Sequence, residues 1–198
     1  GLVPNRKYKQ ENYEDGEWYL SETFDAAIGQ GFNLVTPLQA AMVMGEIAAN
    51  GRRYQPHLVQ RIVDVNGNTV REFQPVLLSE LDVNKGVIRQ VQEEVRRAIE
   101  TVTDKTLTGL LEQVVAAGGG AKAQVTGYRI AGKTGTAENS QGRDHGWFVA
   151  YGPFANPNIV VAVIVEQGGF GSLSAVPIGR RIMEAAFGLD QERPAGSK

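Results

Sequence analysis

The residues whose types and spacing could do chemistry lie together in TGYRIAGKTGTAEN, residues 126–139. Gly127 to Thr134 fits the nucleotide-binding pattern G-x-x-x-x-G-K-[ST] letter for letter. A phosphate-binding loop must leave a buried apolar strand and open straight into a helix, because N–H groups of the loop and helix N-terminus hold the phosphates. Neither flank complies: GGGAKAQVT before Gly127 is too polar and flexible for a central strand, and GTAENSQG after Thr134 is a poor helix start. Tyr128, Ile130 and Gly132 alternate with Arg129, Ala131 and Lys133, which is strand behaviour running through the supposed loop. The alternative is an edge strand presenting Lys133, Thr134, Gly135 and Thr136. A lysine and hydroxyls at alternating positions of one strand face can clamp a carboxylate, glycine opens the approach, and free edge N–H groups can pair with a peptide or stabilise an oxyanion. Taken alone, Lys-Thr-Gly is equally a surface strand ending in a turn.

The elements that must position these residues follow from pattern. Residues 1–24 are polar and aperiodic and read as an extended surface segment pinned by Tyr8, Tyr13, Trp18 and Tyr19. After the glycine turn IGQG (Ile28 to Gly31), Thr36-Pro37 supplies an N-cap hydroxyl and a first-turn proline, predicting a helix over 37–50 closed by Gly51. His57 to Val65 and Thr69 to Phe73 read as a hairpin around Asn66-Gly67-Asn68. Val87, Ile88, Val91, Val95, Ala98, Ile99 and Val102 recur at helical spacing, with Arg89, Glu93, Glu94, Arg96 and Arg97 on a solvent face. A second helical stretch, Thr108 to Ala117, ends at Gly118 to Gly120. Thr126 to Ala137, Trp147 to Phe154 and Ile159 to Glu166 read as antiparallel strands joined by short turns. An amphipathic helix from Pro177 to Phe187 ends at Gly188, before a frayed tail.

The chain of 198 residues, 42% hydrophobic and 21% charged, has ordinary globular composition. With 20 Lys plus Arg against 22 Asp plus Glu there is no basic footprint for nucleic acid. The absence of cysteine excludes disulfides, zinc-thiolate sites and cysteine nucleophiles. No His cluster suggests a metal, and no cofactor is expected. The longest apolar run, IVVAVIV, is far short of the roughly 20 residues of a membrane-spanning helix. Gly1 opens the chain without a secretion-signal pattern, so the chain is expected to be an interior piece of something longer.

Four blocks in order, AGKTGTAE (131–138), DHGWFVAYGPF (144–154), NPNIVVAVIVEQGG (156–169) and AVPIGRRIMEAAF (175–187), resemble the end of the transpeptidase domain of class B penicillin-binding proteins. Upstream, GLVPNRKYK and AIGQGFNLVTPLQAAMVMGEIAANGRRYQPHLV resemble the middle of the same domain, closest to the elongation-type enzymes. The likeness covers nearly the full chain. It implies an α/β fold, an antiparallel sheet sandwiched by helices as in penicillin-binding protein transpeptidases and serine β-lactamases, incomplete in this chain. Residues 1–190 would be the C-terminal part of that domain, lacking the serine-bearing segment, and 191–198 a flexible tail.

The resemblance implies a serine-type D,D-transpeptidase of peptidoglycan biosynthesis and cell shape. In the family an active-site serine attacks the penultimate D-alanine carbonyl of a stem peptide, and an amine of a second strand takes the acyl group; penicillins acylate the same serine. Such sites join Ser-x-x-Lys, Ser-x-Asn or Ser-Asp-Asn, and Lys-Thr-Gly. None of Ser21, Ser79, Ser140, Ser172, Ser174 and Ser197 begins either of the first two motifs. The nucleophile is therefore expected elsewhere, in the missing N-terminal part of the domain, with this chain inactive alone. By the same resemblance Lys133 and Thr134 bind the terminal carboxylate of D-Ala-D-Ala or of a β-lactam, Gly135 leaves room, and the Thr136 hydroxyl assists. The Thr136 N–H forms the oxyanion hole with that of the serine, so Lys133 and Thr136 are the catalytic candidates. The family acts on the periplasmic face of the inner membrane, anchored by an upstream helix and partnered by a membrane glycan polymerase.

Competing expectations are a serine β-lactamase or D,D-carboxypeptidase, which share Lys-Thr-Gly, and a non-catalytic sensor that binds β-lactam or stem peptide without turnover. Asp144-His145 matches a family block, although a histidine beside a turn is more often structural; His57 reads as a strand-surface residue. Trp147 and Phe148 take opposite faces and read as packing. Gly168, Gly169 and Gly171 could bring the loop after the third strand close to the site. One departure from the family is TDKTLTGLLEQVVAAGGGAKAQ (103–124), an additional helical segment ahead of the Lys-Thr-Gly strand.

Overall fold

The structure is a computed structural model that describes residues 1–100 and 123–189. The expected helix Thr108 to Ala117, most of the additional segment and the tail 191–198 lie outside the described residues.

The opening segment is not extended. It forms α1 (Arg6–Asn12), whose first turn is capped by Asn5 Oδ1 accepting from the Tyr8 N–H at 2.9 Å, and α2 (Leu20–Ala27). Helices of 7 and 8 residues are too short to show a period, and tertiary contacts hold them. Lys9, only 5% exposed, reaches Glu22 at 2.5 Å across the pair. That hydrogen bond holds the Lys9 pKa above the ordinary lysine value, against the opposing effect of burial. Tyr8 and Tyr13 meet Phe32 edge-on and tilted, with Tyr13 and Phe32 centroids 4.8 Å apart, so these two pin the segment as expected, whereas Trp18 donates to Thr23 and Tyr19 lies over Lys9 within the segment itself.

Helix α3 (Pro37–Ala48) starts where Thr36-Pro37 predicts. Thr36 Oγ1 accepts from the Gln39 N–H at 3.2 Å and Gln39 Oε1 accepts from the Thr36 N–H at 2.9 Å, a closed capping box. Two small antiparallel pairs follow: β1 (Arg52–Tyr54) with β4 (Leu77–Glu80), and β2 (Arg61–Val63) with β3 (Thr69–Glu72). The second is the predicted hairpin, shortened because the Asp64 carboxylate accepts from the N–H groups of Asn66 and Asn68 and turns the chain early. Helix α4 (Lys85–Glu100) turns Ile88 and Ile99 inward, and the Gln92 side chain ties it to α3 by donating to the Ile47 carbonyl at 2.6 Å.

The central sheet is β5 (Ala131–Ala137), β6 (His145–Gly152) and β7 (Ile159–Val165), antiparallel in that order. Strand β5 begins later than expected because the chain turns at Gly127, φ +80°, under a Val125–Tyr128 bridge. One face of the sheet buries Phe148, Ala150, Val161 and Val163 against Ala175, Val176 and Met183 of α5 (Gly171–Ala186). The other buries Ala131 and Tyr151 against Met44 and Ala48 of α3, with Val95 of α4 packed alongside. Three antiparallel strands between helical layers are the α/β sandwich expected. The last helix starts six residues before Pro177, which sits inside it rather than opening it. Lacking an N–H, proline costs one intrahelical bond there. Packing of Gly171, Ala175, Val176, Gly179 and Met183 on the sheet holds the helix together across that position.

Candidate functional site

Lys133, Thr134, Gly135 and Thr136 all lie within β5, paired in register with Val149, Phe148, Trp147 and Gly146. No helix follows them, so the exclusion of a phosphate loop stands. Strand pleating corrects one expectation. Lys133 shares a face with Ala131 and Gly135, toward α3 and α4, whereas Thr134 and Thr136 share the opposite face with Gly132. The ammonium and the hydroxyls therefore do not lie on one face; they can converge only around the margin of the strand. Lys133 is exposed, its Nζ donating to the Thr134 carbonyl at 2.7 Å, and Thr134, Gly135 and Thr136 are half-buried.

That margin is open because β5 is the edge of its sheet, with no strand beyond it among the described residues. Besides Lys133, a side chain from a distant segment grips it. Gln30 Nε2 donates to the Thr136 carbonyl at 3.0 Å, and the Glu138 N–H donates to Gln30 Oε1 at 3.3 Å. In an antiparallel strand the N–H and C=O of one residue point the same way and neighbours alternate. The Thr136 N–H consequently faces the outer margin together with its carbonyl, as does that of Thr134, while Lys133, Gly135 and Ala137 turn their backbone groups to β6. The site thus offers an ammonium, two hydroxyls and outward N–H donors along one open margin, a set suited to a carboxylate and a developing oxyanion. Beyond Glu138 the margin gives onto an open cavity of about 570 Å³ lined by Gln30, Gly31, Glu138, Asn139, Ser140 and Asp144.

Behind the strand, α5 begins in contact with it. A methyl group on Gly171 would overlap the carbonyls of Gly135 and Trp147, and one on Gly146 would overlap Ser174 Oγ. The loop after β7 therefore does reach the site, through Gly171. The Gly169 N–H donates to the Asp144 carbonyl at 2.8 Å. His145 is structural: its Nδ1 accepts from the N–H of Gln167, a residue at φ +53°. His57 is exposed and lies outside the strands. Phe148 is fully buried and Trp147 half-buried on opposite faces. Among the described residues no three His, Asp or Glu side chains converge as a metal would require.

Gln30 is the residue of the site that pattern reading passes over. Its only signal is a glutamine between two turn glycines, and both glycines adopt left-handed backbone, Gly29 at φ +78° and Gly31 at +65°.

The sequence matches the profile of the family described as the penicillin binding protein transpeptidase domain over residues 5–184. It is 33% identical to the peptidoglycan D,D-transpeptidase MrdA of Haemophilus influenzae, over 99% of this chain and 30% of that protein. It is 34% identical to the peptidoglycan D,D-transpeptidase PbpA of Mycolicibacterium smegmatis, over 82% of this chain and 31% of that protein. The chain therefore spans under a third of the length of either relative. Among solved structures, PBP2 of Pseudomonas aeruginosa in complex with WCK 5153 superposes with a TM-score of 0.68 at 30% identity, covering 97% of this chain and 39% of that one. The imipenem acyl-enzyme of penicillin-binding protein A from M. tuberculosis gives 0.64 at 29% identity, covering 82% and 33%.

Proposed function

The chain belongs to the penicillin-binding protein transpeptidase family, and from that premise we propose that it forms the carboxylate-binding and oxyanion side of a peptidoglycan D,D-transpeptidase. The observation that carries this proposal is the Lys133-Thr134-Gly135-Thr136 run on an open sheet edge with the Thr136 N–H facing outward. Lys133 and the Thr134 hydroxyl take the terminal carboxylate of a D-Ala-D-Ala stem peptide, or that of a β-lactam, with the Thr136 hydroxyl assisting. Gly135 keeps the approach clear; a methyl group there would lie 3.3 Å from Trp147 Cβ.

The reaction is acyl transfer. A serine hydroxyl loses its proton to a base and attacks the penultimate D-alanine carbonyl, and the Thr136 N–H stabilises the oxyanion of the tetrahedral intermediate. The terminal D-alanine leaves as the amine, taking that proton from the base at its nitrogen, and an amine of a second stem peptide then attacks the acyl group, giving up a proton as the serine hydroxyl is re-formed. No Ser-x-x-Lys occurs in the 198 residues, so the nucleophile is supplied from outside them. Two relatives are named peptidoglycan D,D-transpeptidases, and penicillin-binding protein A of M. tuberculosis has been solved as acyl-enzymes of imipenem and penicillin G. These support acylation by β-lactams. No helix among the described residues is long and apolar enough to cross a membrane, so anchoring at the periplasmic face of the inner membrane and pairing with a membrane glycan polymerase would rest on other residues.

The test is intact-mass spectrometry of the complete gene product and of this chain after incubation with a penicillin. The expected result is one penicilloyl adduct on a serine of a Ser-x-x-Lys in the complete product and none on the chain alone. Lys133→Ala should lower the acylation rate of the complete product at sub-saturating penicillin by about 10- to 100-fold, the scale of losing a charge-assisted hydrogen bond to the ligand's carboxylate. An unmodified complete product would overturn the enzymatic assignment, and an adduct on the chain alone would overturn the placement of the nucleophile.

A further inference from the structure

Gln30 lies on a different element from the Lys-Thr-Gly strand, 106 residues away from Thr136, yet its carboxamide binds the strand's backbone twice. The two groups it takes, the Thr136 carbonyl and the Glu138 N–H, are the pair a neighbouring strand would take. The side chain therefore acts as a one-residue strand that ends the open margin. Residues 133–136 are left with the N–H groups of Thr134 and Thr136 as outward donors.

The consequence for Thr136 is specific. Its Cα joins two peptide planes. The Gly135–Thr136 plane is held from behind, by pairing with Trp147 and by the close approach of Gly171. The Thr136–Ala137 plane is held at its carbonyl by Gln30. The Thr136 N–H lies in the first of these planes, and the bond to Gln30 holds the second, so the strand end cannot twist about the Thr136 Cα and draw the first plane with it.

The loop that carries Gln30 is held by its own hydrogen bonds. Gly29 and Gly31 supply the two left-handed turns on either side of it. The Gln30 N–H donates to the Asp25 carbonyl at 2.8 Å, and Asn33 Nδ2 donates to the carbonyls of Ala26 and Gln30 at 3.1 and 2.9 Å. Phe32 is locked among Tyr8 and Tyr13. A surface glutamine with free rotamers would lose most of its effect to entropy. This one is aimed by its loop.

We propose that Gln30 is a positioning residue of the active site, clamping the end of β5 so that the Thr136 N–H points at the developing oxyanion. The inference rests on the transpeptidase function proposed above. It separates two functions of the margin: Lys133 and Thr134 hold the carboxylate of the ligand, whereas Gln30 acts on the reactive carbonyl alone, through Thr136.

The test is the acylation of the complete gene product by a penicillin, resolved by stopped flow into a dissociation constant and a first-order acylation rate, for wild type, Gln30→Met and Gln30→Glu. Methionine keeps the length of the side chain and removes both bonds; glutamate keeps the acceptor for Glu138 and removes the donor to Thr136. Both variants should acylate about 10- to 100-fold more slowly, the scale of a misplaced reacting group, with the dissociation constant within about twofold of wild type. Amide exchange at Glu138 should accelerate in Gln30→Met and stay protected in Gln30→Glu. An unchanged acylation rate in both variants overturns the proposal. So does a rate and a dissociation constant that worsen together, in step with a lowered melting temperature, since that is loss of folding only. A wild-type protein that is not acylated overturns the transpeptidase assignment instead, and exchange at Glu138 then still decides whether the clamp exists.

Discussion

Among the described residues, the hydroxyl of Tyr151 is buried without a hydrogen-bond partner on the α3 and α4 side of the sheet, its residue only 1% exposed. Burial, and after it the Glu93 carboxylate, push its pKa up to about 12, with Arg96 opposing. An unpartnered buried hydroxyl costs more than it returns, so Tyr151→Phe should raise the unfolding free energy by ~1 kcal/mol at neutral pH. The pH dependence has a definite sign. The unfolded chain loses this proton near the ordinary tyrosine value of 10.0 while the folded chain keeps it to about 12. Stability is therefore fully present below pH 10 and falls as pH rises through that window. Urea unfolding at pH 8 and pH 11 should show a larger loss in wild type than in Tyr151→Phe; equal losses would place the ionising group elsewhere. At the same scale, the run Lys133 to Thr136 was legible as a candidate site from residue types and order. The contact made by Gln30 was not, because a glutamine in a glycine turn declares its partner only when two segments far apart in the chain meet.

At the scale of elements, local signals were reliable where the side chain and the backbone it satisfies lie within one turn. Helix α3 is the case in point, with Thr36 and Gln39 closing each other's free N–H groups. Thr36→Ala should lower the unfolding free energy by ~1 kcal/mol, measured by chemical denaturation. No change would mean that tertiary packing alone holds that end. The strands β5 to β7 were readable for a similar reason, since alternation is a property of a few consecutive residues. Elements fixed by distant contacts were missed. Helices α1 and α2 depend on the Lys9–Glu22 pair and the Tyr8–Tyr13–Phe32 cluster, β1 and β4 are 3 and 4 residues long, and α5 runs through a proline that sequence rules place at a helix start.

At the scale of the whole molecule, two helical layers cover the two faces of one small sheet, and much apolar surface outside it stays uncovered. Leu20, Phe24, Ile28, Leu34, Leu38 and Val43 are each more than half exposed in the stretch that leads into and along α3. Exposed apolar area on this scale makes a soluble chain adhesive. The 198-residue chain produced alone should bind a hydrophobic dye and sediment with concentration-dependent mass, and the complete gene product should do so less. A monodisperse chain without dye binding would contradict this. By itself the sequence determined the class of fold, the family, the order of the sheet strands and the candidate run Lys133 to Thr136, because each is written in neighbouring residues as a period, a cap or a motif. Only the tertiary structure decided that Lys133 and the two threonine hydroxyls lie on opposite faces of β5, that Gly171 packs behind Gly135, and that Gln30 closes the margin. Pleating sets the first once the strand is known to be a strand throughout. The other two are contacts between residues 36 and 106 positions apart, and no local pattern encodes which distant backbone a side chain will meet.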